Sequence, residues 1–291
     1  MSEGVKRLIV NADGFGFGPG ATDGILEAIG EGHFISSVSV NVNFPEADRI
    51  RDLVAQFPNI SVGVHLNPMA GKPCLPRERV LSLVDKDGYL QNEKFPKLLR
   101  KGAISKSELE AELDAQIAKA KQLAGSRLTH IDSQGNQHLG YFELFLKLAR
   151  KWGIQRMRNN ASLICLEAPS AVWWRAKTYA RSPHILLFHL YRRGQMQKAK
   201  ALGMRMAENL VTVGYAGFGN KSKPENWRRI LANLPPGTYE IYCHPAYVDN
   251  TLRRWSIYCE DRERELAVLR NPEICETARA CGVEIISFDA I

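Results

Sequence analysis

Several histidines and acids stand where apolar runs end, and these are the residues able to do chemistry. Asp13 follows the run Leu8-Ile9-Val10-Asn11-Ala12 and precedes Gly14. A carboxylate held at such a break can serve as a general base or a metal ligand. Its plainer use is an Asx turn or a helix cap. His65 lies near the end of the run Ser61–Leu66, and His130 and Asp132 near the end of Leu128–Asp132. The latter is followed by Ser133-Gln134-Gly135-Asn136-Gln137-His138. The run Tyr239–Cys243 stops at His244-Pro245, with Asp249 close behind. The proline keeps His244 extended, which suits a proton donor at a strand end. Asp132 either orients a histidine or caps the loop after it. One histidine alone is usually structural, but four strand ends bearing His or Asp predict a shared cleft. Gly14, Gly16, Gly18 and Gly20 form neither GxGxxG nor GxxxxGK[ST], so a nucleotide loop is rejected.

The elements that must position these groups alternate along the chain. Val5–Asn11 predicts a strand, and residues 20–31 a helix with Ile25, Leu26 and Ile29 on one face. Ser36–Asn43 alternates with period two and predicts a strand; residues 46–56 predict a helix. Ser61–Leu66 is the next strand. Residues 105–124 give the clearest helix, with Ser107 and Glu110 at capping-box spacing. Leu128–Asp132 predicts a strand, 141–152 a helix and Ile154–Arg158 a further strand. A mostly helical insertion is expected at about 165–210. Alternation resumes with Val211–Tyr215, a helix at 224–233, Tyr239–Cys243, a helix near 260–270 and Val283–Phe288. This order predicts an α/β fold with a parallel sheet wrapped by helices, in one domain over 1–291. Such folds carry their chemistry at the carboxyl ends of strands.

The composition sets limits. The 291 residues are 45% hydrophobic and 24% charged, which excludes a disordered or fibrous chain. No apolar run of spanning length and no signal-peptide core is visible, and the six cysteines are scattered without a CxxC pair. A cytoplasmic protein with reduced thiols is the expectation. The net charge is +8, and the excess gathers at Arg150, Lys151, Arg156, Arg158, Arg175, Lys177, Arg181, Arg192, Arg193, Lys198, Lys200 and Arg205. Trp173, Trp174, Tyr179 and Tyr191 are interleaved with them. A solvated face is the plain reading. An anionic surface, or a lipid-linked or anionic glycan, is the functional one, ahead of nucleic acid. Trp173, Trp174 and Trp227 are read first as core packing and second as sugar-stacking platforms.

The motifs, in this order, resemble the YdjC-like carbohydrate deacetylases. The pieces are Leu8-Ile9-Val10-Asn11-Ala12-Asp13-x-Phe15-Gly16, Gly63-Val64-His65-Leu66-Asn67 and Gly71-Lys72-Pro73. Further pieces are Glu112-Leu113-x-Ala115-Gln116, Thr129-His130-Ile131-Asp132-Ser133 and His244-Pro245-Ala246-Tyr247-x-Asp249. The resemblance implies a distorted (β/α) barrel that removes acetyl from an N-acetylated amino sugar. It implies a divalent metal, zinc or magnesium, with Asp13 as base and His244 as acid. Asn67 and Tyr247 are the substrate-contact candidates, and His130, Asp132 and Asp249 the supporting ones.

Two metal positions depart from the family. The family's second aspartate of the first motif is Gly14 here, and the histidine after Ser133 is Gln134. Of that ligand set only His65 stands unchanged. Gln134 offers a neutral carbonyl, a weaker zinc ligand than imidazole. His138 is the candidate substitute, in a cluster with Asp13 and His65. The expected function is a deacetylase-like hydrolase with altered or lost metal dependence. The alternatives are an inactive relative that binds a glycan or partner, and a metal-independent acid–base hydrolase.

Overall fold

The computed structural model describes residues 4–161, 163–164, 180–211 and 223–291. Its strands are β1 (Lys6–Phe15), β2 (Ser37–Val40), β3 (Ser61–Leu66), β4 (Leu128–Ser133) and β5 (Arg156–Met157). They continue with β6 (Leu163–Ile164), β7 (Asn209–Val211), β8 (Gly237–Cys243) and β9 (Val283–Ile285). Every strand pairing is parallel, in the order β5-β4-β3-β2-β1-β8-β7-β6, with β9 also on β1. One edge of β1 is shared: Lys6–Leu8 pair with β9, and Asn11–Phe15 with β2. The two flanks of the sheet approach each other where the Met157 amide donates to the Arg205 carbonyl at 3.0 Å. The Arg205 amide in turn donates to the Gln155 carbonyl at 2.7 Å. The result is a distorted (β/α) barrel.

The helices are α1 (Pro19–Gly32), α2 (Ile50–Gln56), α3 (Phe95–Arg100), α4 (Lys106–Ala124) and α5 (Phe142–Lys151). After them come α6 (Pro183–Ala201), α7 (Pro224–Asn233), α8 (Asn250–Trp255), α9 (Glu260–Leu269) and α10 (Pro272–Ala280). β1 through β4 are almost wholly buried, as parallel strands covered on both faces must be. Trp227 of α7 is fully buried and meets Phe34 edge-on at 5.7 Å, so it is core and not a sugar platform. Trp173 and Trp174 lie outside the described residues.

Several boundaries differ from the sequence reading. β1 runs on through Asp13 to Phe15, because Gly14 takes φ +103° and forms a bulge against β2. Helix α4 is capped by Ser105, whose hydroxyl accepts from the Glu108 amide, and Ser107 lies inside the helix. β5 is only two residues long. The last strand stops at Ile285, and Phe288–Ala290 turns into a 3-10 helix. The region read as the strand Val211–Tyr215 has its described part in β7, and 212–222 lie outside the described residues. Of the expected insertion, 180–211 is described, and α6 is its main element.

The connection from β3 to α4 leaves the end of β3 at Asn67. Two side chains of α4 brace it. The Glu112 carboxylate accepts from the amides of Cys74 and Leu75, and the Gln116 side chain brackets the backbone of Asn67 from both sides. This is the structural use of the Glu112…Gln116 motif.

Candidate active site

The barrel brings four strand ends to one point. β1 delivers Asp13, β3 His65, β4 Asp132, and the residue after β8 is His244. The His65 ring bonds through Nδ1 to Asp132 Oδ1 at 2.7 Å. His244 Nε2 stands 4.0 Å from Asp13 Oδ2. Asp13, His65 and Asp132 are all at least nine-tenths buried, while the His244 side chain is 22% exposed. Of the four, His244 is the one that reaches the surface, and Asp13 lies beneath it.

A fifth strand end supplies a residue that sequence reasoning counted only among surface charges. Arg158, just after β5, is buried at the centre of the cluster. Its guanidinium grips Asp13 with two bonds, of 2.7 Å and 2.6 Å. It also lies 3.0 Å from Asp132 Oδ2 and donates through Nε to Glu240 at 2.6 Å. The planar fork matches a carboxylate in this bidentate way, which an ammonium would not. Its signal was its place at the end of a predicted strand. Glu240 carried another: an acid in the middle of the apolar run Tyr239–Cys243.

Smaller groups complete the network. Asn11 Nδ2 donates to Asp13 Oδ1 at 2.7 Å and to the Ser39 hydroxyl at 2.8 Å. That hydroxyl donates to Asp132 Oδ2 at 2.8 Å. Glu265 accepts from the His244 amide at 2.6 Å and from the Tyr258 hydroxyl. Arg262 is buried, donates through Nε to the Tyr258 carbonyl, and lies beside Gly14. A Cβ at position 14 would stand 3.6 Å from Arg262 Nη1. The position that the resemblance reads as a lost ligand is thus flanked by a cation.

The electrostatics follow from burial against pairing. Burial works against the Asp13 carboxylate, but the Arg158 guanidinium outweighs it and holds the pKa below the ordinary value. Burial likewise opposes protonation of His65, yet the Asp132 charge and hydrogen bond win and raise its pKa. Arg158 is raised too: Asp13, Glu240 and Asp132 overcome its desolvation.

The remaining candidates hold the scaffold. His130 is fully buried and stacks on Phe288 at 3.9 Å, and its ring bonds to Thr129 Oγ1 at 2.9 Å. His138 is buried 4.7 Å from the Phe145 ring, and it is Asp132, not His138, that joins Asp13 and His65. Gln134 is half-buried just after β4. Asn67 is fully buried; its amide donates to Asn43 Oδ1 and the Ala70 carbonyl and accepts from the amides of Met69 and Ala70. It folds a loop rather than lining the cleft. Tyr247 is 40% exposed and its hydroxyl donates to Glu27.

Asp249 is a helix cap. It accepts from the Leu252 amide at 2.7 Å and from the Gly20 amide at 2.8 Å, tying α8 to the start of α1. Asp249→Ala is expected to cost about 1–2 kcal/mol in stability, as lost caps do. Turnover per folded molecule should stay unchanged; urea unfolding alongside a rate assay checks both.

Proton uptake gives a second expectation. Burial pushes His130 and His138 down to about 3, so the folded state resists protons that an ordinary imidazole takes near 6.5. Stability is therefore lost as pH falls from 6.5 toward 3. Burial pushes Glu240 up to about 7 against the pull of Arg158, so between about 4.5 and 7 it offsets one of the two histidines. The bond of His65 to Asp132 acts on the other side. Its stability is complete below the unfolded pKa and lost as pH rises through the raised folded value. Stability should peak near neutrality. On the acid side it should fall by about 1.4 kcal/mol per pH unit, steepening to roughly twice that below pH ~4.5. Urea midpoints across pH check this; a flat acid limb would contradict it.

Whether a dication fits can be read from the donors. Among the described residues one group of metal-ligating side chains stands out, Asp13, His65 and Asp132, with ligand atoms within 4.8 Å of one another. Both Asp13 oxygens are already taken by Arg158, and Asp132 is shared by His65, Ser39 and Arg158. Gly14 has no side chain to offer. A dication among these donors would face a buried guanidinium, so as arranged they do not fit a tightly held metal.

Fold and site together define a distorted (β/α) barrel with its buried polar cluster at the carboxyl ends of the strands. The chain belongs to the YdjC-like protein family, whose model matches residues 7–280. It is 28% identical to a carbohydrate deacetylase of Thermoanaerobacter pseudethanolicus over 289 residues, 99% of this chain and all of the relative. It is 28% identical to a carbohydrate deacetylase of Enterococcus faecalis, covering 98% of each. A crystal structure of an Enterococcus faecalis protein named for cellobiose-phosphate cleavage superposes with a TM-score of 0.75, at 28% identity and 98% coverage of both chains.

Proposed function

We propose that the chain is a carbohydrate deacetylase-type hydrolase acting on the N-acetyl group of an amino sugar, oligosaccharide or sugar-lipid, without a tightly bound metal. The observation that carries this is the facing pair Asp13 and His244, 4.0 Å apart at adjacent strand ends. In this reading Asp13 takes the proton of an attacking water. The water oxygen bonds to the acetyl carbon, the C–N bond breaks, and His244 delivers a proton to the departing amine. Acetate and a free amino sugar result. Arg158 keeps Asp13 ionised and aimed, at the expense of some basicity. Arg262, beside the vacant side of Gly14, is the cation nearest to where a ligand carboxylate would stand, and it offsets charge developing on the carbonyl oxygen.

The test is acetate release from N-acetylglucosamine oligomers and from an N-acetylated glycolipid, with chelator and with added zinc. Release that survives chelation supports the reading. A second reading is favoured by the lock of Arg158 on Asp13 together with the changes at Gly14 and Gln134: an inactive relative that binds a glycan. Sugar affinity indifferent to chelation, with no acetate release from any substrate, would support it instead.

A further inference from the structure

Helix α6 changes character along its length. Its C-terminal half packs on the body through Met196 and Ala199, which are 3% and 0% exposed. Its N-terminal half presents apolar side chains to water: Leu187 is 66% exposed, Leu190 52%, Phe188 47% and Tyr191 46%. Ile185 and Leu186 are exposed as well, so the apolar surface runs around two turns instead of forming one stripe. Water-facing clusters of this kind mark interaction sites.

The charges beside the cluster select its partner. From Arg181 to Ala207 the sequence holds no acid; Arg181, Arg192 and Arg193 flank the cluster, Lys200 follows on the same helix, and Lys198 is paired with Glu143 at 2.5 Å. The Arg192 guanidinium stacks over the Phe188 ring at 4.4 Å, so the apolar and cationic parts are one surface. A two-fold contact between copies would set this basic group against itself. An anionic bilayer gives each cation a phosphate and the leucines a hydrocarbon boundary. The exposed turns span roughly 10 Å, enough to enter the headgroup boundary and too short to cross. Among the described residues no helix is long and apolar enough to cross a membrane.

We propose that the N-terminal half of α6 docks the protein on an anionic lipid surface. The Tyr191 hydroxyl donates to the Leu139 carbonyl at 2.9 Å, and Leu139 lies in the segment Gln134–Gly140 that follows β4. This bond anchors the helix beside the end of the barrel that carries the candidate site. Docking stands independently of whether that site turns over a sugar.

Flotation of the full chain with vesicles of phosphatidylcholine, with and without phosphatidylglycerol, tests this. Binding to the anionic vesicles is expected, weakened by salt, with little binding to phosphatidylcholine alone. The double variant Leu187→Ser with Leu190→Ser should bind at least about tenfold less. Because both side chains face water, its thermal unfolding should match the parent. Arg193→Glu with Lys200→Glu should reduce binding and its salt dependence. Equal binding by parent and leucine variant would overturn the proposal. So would a parent dimer in sedimentation that the leucine variant dissolves, since a second copy would then be the occupant.

Discussion

Arg158→Met is expected to remove about 3–5 kcal/mol of stability, the loss seen when one partner of a buried ion pair is deleted. Arg158 is 4% exposed and bonded to Asp13, Asp132 and Glu240. Without it, carboxylates on three strands lose their countercharge in a dry interior. Denaturant unfolding measures the effect, and a loss under about 1 kcal/mol would show that the guanidinium does not balance these acids. Arg158→Lys keeps the charge but not the fork, so it should retain part of the stability and lose the orientation of Asp13. Arg158→Met should also acquire what the parent lacks. Asp13, His65 and Asp132 then form an anionic group with free oxygens, and zinc should raise its unfolding temperature while leaving the parent's unchanged.

Asp13→Asn is expected to lower the rate of acetate release by about 10²–10⁴-fold, the usual worth of a positioned general base. The amide keeps the shape but cannot take a proton, and it gives Arg158 one acceptor fewer. Substrate affinity should change little, so the loss should fall on kcat. His244→Gln should reduce kcat as well, with a different pH profile, because it removes the donor rather than the acceptor. If Asp13→Asn retained parental kcat, the base would have to be found elsewhere in the cleft.

Much of this centre was legible in the chain because a parallel barrel places strand ends together. Asp13, His65, Asp132 and His244 each followed an apolar run, and topology gathered them. Arg158 was hidden because it stands among Arg150, Lys151 and Arg156, and a cation in such a group reads as surface although it closes the predicted strand Ile154–Arg158. His138 was the candidate substitute for the ligands that the resemblance finds missing. The 3-10 turn after Ser133, with Gly135 and Asn136 at positive φ, instead buries it near Phe145. Asp249 and Asn67 looked chemical because polar side chains that fold loops share residue types with those that bind substrates. Position 14 was read as a lost ligand. The backbone adds that φ +103° there would strain an aspartate by about 1–3 kcal/mol, so the bulge itself is fitted to glycine.

In the proposed mechanism a buried arginine, not a dication, supplies the positive charge at this centre. Elemental analysis of the protein after exposure to zinc and gel filtration, with acetate release measured before and after chelation, tests it most directly. Far less than one zinc per chain and a rate unmoved by chelator are expected. One firmly retained zinc per chain, with the rate abolished by its removal and restored by its return, would contradict it.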